Sequence, residues 1–138
     1  MSGQHLASAL TITRLSLHVL GATVWVGGQL TVAGLLSTVR RLGEGASRKI
    51  AAAFGRLQWP AYGLLVATGI WNVFAVHAGR STGSWQVVLW VKIAVVALAG
   101  LSALLHQRAR STAGLAVWGA VAGTTSLAAL VLGVALAG

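Results

Sequence analysis

The sequence contains no cysteine, a single proline, a single methionine and a single acidic residue, Glu44. Without cysteine there are no disulfides, thiolate metal centres or cysteine nucleophiles, and no site for covalent attachment of a c-type haem. Met1 is the only methionine, so the thioether ligands that copper(I) favours are missing as well. One isolated carboxylate excludes paired-carboxylate catalysis and disfavours a carboxylate-lined path for divalent cations. No Ser-His-acid set, HExxH motif or phosphate-binding loop is present.

Charge is scarce overall. Only 8% of the 138 residues are charged while 57% are hydrophobic, against about 25% charged in an ordinary soluble domain. Such a chain cannot clothe itself in a polar surface. Its 18 glycines weaken helices in water but suit helices that pack closely in lipid. The net charge of +9 does not point to nucleic acid, because the basic residues gather in short connections between apolar runs. There they set membrane orientation and meet anionic headgroups.

Hydropathy divides the chain into four segments. The first apolar run, residues 15–39, carries no Lys, Arg, Asp or Glu and exceeds the roughly 20 residues that cross about 30 Å of hydrocarbon. It is too long for the apolar part of a signal peptide and follows Arg14 rather than a charged leader, so it reads as a membrane span. Spans are expected at 13–38, 57–77, 85–106 and 113–137, forming one all-α, integral membrane four-helix transmembrane bundle over residues 1–138. Part of the basic stretch before the second span is expected to extend that helix. Arg40, Arg41, Arg48, Lys49 and Arg56 lie in the first connection and Arg108 and Arg110 in the third, against Arg14 and Arg80 on the other side. The positive-inside rule therefore places both termini outside. In the fourth span Gly119 and Gly123 form a GxxxG pair that admits a close helix neighbour.

Chemistry concentrates in the first span. Arg14, His18, Gly21, Trp25 and Gly28 follow at offsets of 4, 7, 11 and 14 residues and share one helical face. Ionisable groups inside a span are costly and face the bundle interior, a cavity or a cofactor. Flanking glycines leave room for a flat ligand, and Trp25 either packs on that ligand or fills the core. Lys92, near the middle of the third span, either snorkels outward or turns inward along a small-residue face with Val96, Ala99, Ser102, Ala103 and His106. His77, at the end of the second span, is expected at about the depth of His18. Two neutral imidazoles on facing helices suit the axial positions of haem b.

Three readings follow. In the first, haem b sits in the outer half between the first three helices and serves electron transfer or oxidoreductase chemistry. His18 and His77 are its ligands, Lys92 is a ligand or propionate partner, Arg14 holds a propionate, and Gly21 and Gly28 make space. In the second, the chain is a copper permease with a path lined by His18, His77 and His106. In the third, it is a cofactor-free subunit of a larger membrane complex. Beyond the bilayer, the expected partner is a membrane redox protein or a second copy of the chain.

The ordered set His18, Trp25-Val-Gly-Gly28, Phe54-Gly-Arg-Leu57 with Pro60, Thr68-Gly69 and Trp90-Val-Lys92 resembles the CopD-like (copper resistance D) membrane domain. A histidine seven residues before tryptophan, followed later by a lysine, is also similar to the HemJ type of protoporphyrinogen oxidase. The resemblance covers most of the first three spans. It implies a four-helix bundle of a bacterial plasma membrane that binds haem b or handles copper, with His18 and Lys92 as the important pair.

Overall fold

A computed structural model describes residues 5–77 and 80–138. Four helices account for nearly all of them: α1 (Ala9–Arg41), α2 (Ala46–Ala75), α3 (Gly83–Arg108) and α4 (Thr112–Ala137). Hydroxyl caps start three of the four. Ser8, Thr82 and Ser111 accept from the backbone N–H groups of Thr11, Trp85 and Gly114, each satisfying one donor that a helix start leaves open. Before α2 the cap is instead conformational. Gly43 and Gly45 take positive φ angles of 119° and 85°, a turn that side chains with a Cβ rarely adopt. Within α1, residues Thr23–Gly27 form one π-helical turn, which inserts an extra residue into the helical phase and turns Trp25 into the core.

Consecutive helices pair as two antiparallel hairpins. In the first, a Cβ on Gly21 would sit 3.1 Å from the Ala61 carbonyl, and the Phe54 ring fills the space beside Gly28. In the second, His106 Nδ1–H donates to the Leu115 carbonyl at 2.8 Å and its ring lies over Gly119. Side-chain hydrogen bonds join the hairpins. Trp25 Nε1–H donates to Ser126 at 2.9 Å, Tyr62 donates to the Val96 carbonyl at 2.8 Å, and Trp59 Nε1–H donates to Gln107 at 3.0 Å. In lipid, helices gain little by hiding apolar surface from one another, so close packing and such bonds, worth about 0.6 kcal/mol each and at most about 1.7, carry association.

The burial pattern is that of a protein solvated by lipid. Large apolar side chains point outward, Phe74 being 75% and Val134 70% exposed, while Ser102, Ser126, Thr68, Gln58 and Arg14 are buried. A soluble domain does not expose apolar surface on this scale. Threonines on the outer faces return their hydroxyls to their own helices, Thr23 to the Val19 carbonyl and Thr31 to the Gly27 carbonyl, both at 2.8 Å, so none needs water. The chain is an all-α integral membrane four-helix bundle.

Among the described residues, α1, α3 and α4 are each long and apolar enough to cross a bilayer, with mean hydropathies of 1.6, 2.3 and 2.0. The expected span 57–77 lies in α2 except for its last two residues, and α2 is the one helix not apolar enough to meet that measure. Its polar residues explain that: Gln58 and Thr68 are buried inside the bundle rather than presented to lipid. The helix also starts at Ala46, well before residue 57. Arg48, Lys49 and Arg56 therefore lie on the helix and not in a loop before it. Pro60 lies inside α2 without interrupting it, a tolerance normal for membrane helices.

Candidate functional site

The polar stripe on α1 meets a matching stripe on α2. Gln58, Tyr62, Leu65, Thr68 and Asn72 recur at offsets of 4, 7, 10 and 14 residues, the helical spacing already seen from Arg14 to Gly28. The antiparallel register brings the two together. Gly28 lies against Phe54, Trp25 against Tyr62, Gly21 against Leu65, and His18 against Thr68 and Gly69.

His18 is half-buried and its Nδ1 lies 2.8 Å from the Thr68 hydroxyl. That hydroxyl donates its one proton to the Leu64 carbonyl at 2.7 Å. Its lone pairs are left to accept from His18 Nδ1–H. Nδ1 is then the protonated nitrogen engaged by Thr68, which holds the ring in one orientation and leaves Nε2 outside that bond. A histidine that ligates a metal through one nitrogen while donating from the other is built this way. A Cβ at Gly69 would stand 3.6 Å from the ring's Cε1, in ordinary contact with the imidazole.

Lys92 lies at the same depth. His18 is nine residues into α1 and Lys92 nine residues into α3, about 13 Å from the helix starts at ~1.5 Å per residue. The ammonium rests against α4, where a Cβ on Gly133 would stand 2.9 Å from Nζ. Lys92 thus turns towards the α3–α4 seam. One helical turn outward of His18, Arg14 is buried at 7% exposure.

The other expected residues have structural places. The expectation that His77 shares the depth of His18 does not hold. His77 lies nine residues beyond Thr68, roughly 13 Å farther along α2, because α1 begins at Ala9 and carries His18 well inside the bundle. His77 adopts φ 50° in an exposed turn that ends the helix, a conformation histidine tolerates better than most residues. Its N–H donates to the Phe74 carbonyl at 3.3 Å.

His106 ties the α3–α4 turn at the opposite end of the bundle, so the histidines of the expected copper path do not converge. No group of three or more His, Cys, Asp or Glu that could hold a metal occurs among the described residues. The GxxxG pair divides its roles: Gly119 seats His106, and Gly123 has nothing within 4 Å.

Trp25 packs in the core with Tyr62 and Trp59, at centroid separations of 4.6 Å and 5.9 Å. Helix α2 occupies the space beside Gly21 and Gly28. Alongside them a groove of about 410 Å³ is lined by Thr23, Val24, Gly27, Gly28, Phe54 and Leu57. In the sequence Thr68 stood out only as part of the Thr68-Gly69 motif, and Asn72, Tyr62 and Ser126 were passed over; the periodicity of polar residues along α2 was the signal available for Tyr62, Thr68 and Asn72.

No family model, curated protein or solved structure matches the chain.

Proposed function

We propose that the chain is a small haem-b-binding membrane protein of the CopD-like and HemJ-like type, with an electron-transfer or redox role, in which His18 ligates the iron through Nε2. The observation that supports this most directly is the His18–Thr68–Leu64 hydrogen-bond chain. It presents an oriented imidazole, engaged through Nδ1, inside a membrane bundle. The donor set is right for one axial position of a b-type haem, which needs no cysteine. Bound there, haem supplies a one-electron couple at a fixed depth in the bilayer.

The protein's own contribution begins with ligand geometry. Thr68 keeps the proton on Nδ1 and so keeps Nε2 basic. Lys92 serves as a propionate partner or as the second ligand from the same depth on α3. His77 is too far along α2 to complete a pair with His18. Positive-inside logic orients the bundle in a bacterial plasma membrane with both termini outside and the Arg40–Arg56 connection inside. The haem half then faces the outer leaflet, and a redox partner docks from that side.

The test compares visible spectra of the wild-type protein, His18→Ala and Lys92→Met, each purified in detergent from haem-supplied cells. Loss of the b-type spectrum in His18→Ala, with the helical far-UV spectrum retained, is the expected result. A shifted spectrum in Lys92→Met marks a ligand, and an unshifted one a propionate partner. An unchanged spectrum in His18→Ala overturns the ligand assignment.

A further inference from the structure

Arg14 is the most buried charged residue of the bundle, and its Nη1 has no hydrogen-bond partner among the described residues. Asn72 Oδ1 is likewise buried without a partner. The register that sets His18 against Thr68 places Arg14, one turn earlier, opposite Asn72, one turn later. A donor and an acceptor are thus enclosed at the same end of the α1–α2 interface without satisfying one another. Buried polar groups in native proteins are almost always paired, so the two together require a third group.

The chemistry of that group follows from its surroundings. Arg14 and Lys92 are the basic side chains within this half, with the His18 imidazole between them in sequence, and His77 and Arg80 lie exposed at its rim. The only acidic side chain, Glu44, stands in the α1–α2 turn at the other end. A guanidinium buried with no counterion is unstable unless an anion joins it, and its forked donors match the oxygens of a phosphate or carboxylate. Asn72 Oδ1 adds a second requirement, since it accepts and must face a donor. An oxyanion with a neighbouring hydroxyl meets both.

Depth selects the source. Arg14 lies five residues into α1, roughly 7 Å from its outer end, where headgroup phosphates meet the hydrocarbon. We propose that Arg14 and Asn72 form a binding site for one anionic, hydroxyl-bearing phospholipid headgroup of the phosphatidylglycerol class, its phosphodiester on the guanidinium and a glycerol hydroxyl on the Asn72 amide oxygen. A phosphatidylethanolamine ammonium would also donate to Asn72, but it adds a positive charge where there is already an excess. The site is independent of any metal ligand. It gives the bundle a fixed lipid at the rim of the His18 region.

The experiment is thermal unfolding of the full chain in neutral detergent with phosphatidylglycerol, phosphatidic acid, phosphatidylethanolamine, phosphatidylcholine or inorganic phosphate added, alongside native mass spectrometry of retained lipid. The site predicts one retained phosphatidylglycerol and a rise in Tm with that lipid, a smaller rise with phosphatidic acid, and none with the zwitterionic lipids or free phosphate. Arg14→Gln should remove the lipid-specific rise and the retained lipid. If Arg14→Gln does not fold, Asn72→Leu carries the test, keeping the response to charge but losing the preference for phosphatidylglycerol over phosphatidic acid. An equal rise with phosphatidylcholine, a rise with inorganic phosphate alone, or retained lipid in a folded Arg14→Gln overturns the proposal. So does an Arg14→Gln protein that keeps its lipid response but loses a haem spectrum, which would make the guanidinium a propionate partner.

Discussion

At the scale of single residues, the interior is held by a few polar contacts whose removal has separable consequences. Thr68→Val keeps the shape of the side chain but deletes the acceptor for His18 Nδ1–H. Loss of such a supporting partner typically costs a metal site about 10- to 100-fold in affinity. A haem titration of that variant should show a weakening of this order with the helical content unchanged. At Gly100 the Tyr62 hydroxyl occupies the place a Cβ would take. Gly100→Ala should therefore displace the ring or its bond to Val96, costing about 1–3 kcal/mol as overpacking of a tight core does. Unfolding in mixed micelles measures it, and Gly123→Ala, with nothing within 4 Å, is the matched control with little effect. The α1 face carrying Arg14, His18 and Trp25 was legible in the sequence because charge and periodicity coincide there. His77 was misplaced because its depth was counted from the edge of the hydropathic run, whereas α1 begins at Ala9.

At the scale of elements, the bundle is two hairpins joined by a thin set of side-chain bonds. The α3–α4 hairpin turns through three residues, while the link between the hairpins carries few constraints beyond the Trp25–Ser126, Tyr62–Val96 and Trp59–Gln107 contacts. A chain divided between Ala75 and Gly83 should consequently reassemble when its halves are co-expressed, detectable by co-purification. Ser126→Ala, which leaves Trp25 Nε1–H and Gln29 Nε2–H without their shared acceptor, should weaken that reassembly. The energy at stake is of the order of 1 kcal/mol. The π-helical turn at Thr23–Gly27 was invisible to hydropathy, since it depends on packing around Trp25, whereas the expected helical extension before the second span is present, α2 starting at Ala46.

At the scale of the whole molecule, the exposed apolar exterior, the polar interior and the short connections describe a protein whose solvent is lipid. That much was readable from composition and four apolar runs, because a membrane constrains length and polarity more tightly than water does. What joins α1 to α2 was not, since averaging over a window hides a polar stripe inside an apolar helix. The native chain has no cysteine, so single cysteines report orientation without background. Cysteine at Gly43 should react with an impermeant maleimide only from the cytoplasmic side, and cysteine at Ser84 only from the outside. The reverse pattern would invert the bundle and put the His18 region on the inner leaflet.

The account's central claim is that His18 presents a free imidazole nitrogen to haem b, and a pyridine haemochrome assay on the detergent-purified wild-type protein from haem-supplied cells tests it most directly. A b-type haemochrome at about one haem per chain is the expected result; folded, haem-supplied protein with no haemochrome would contradict it.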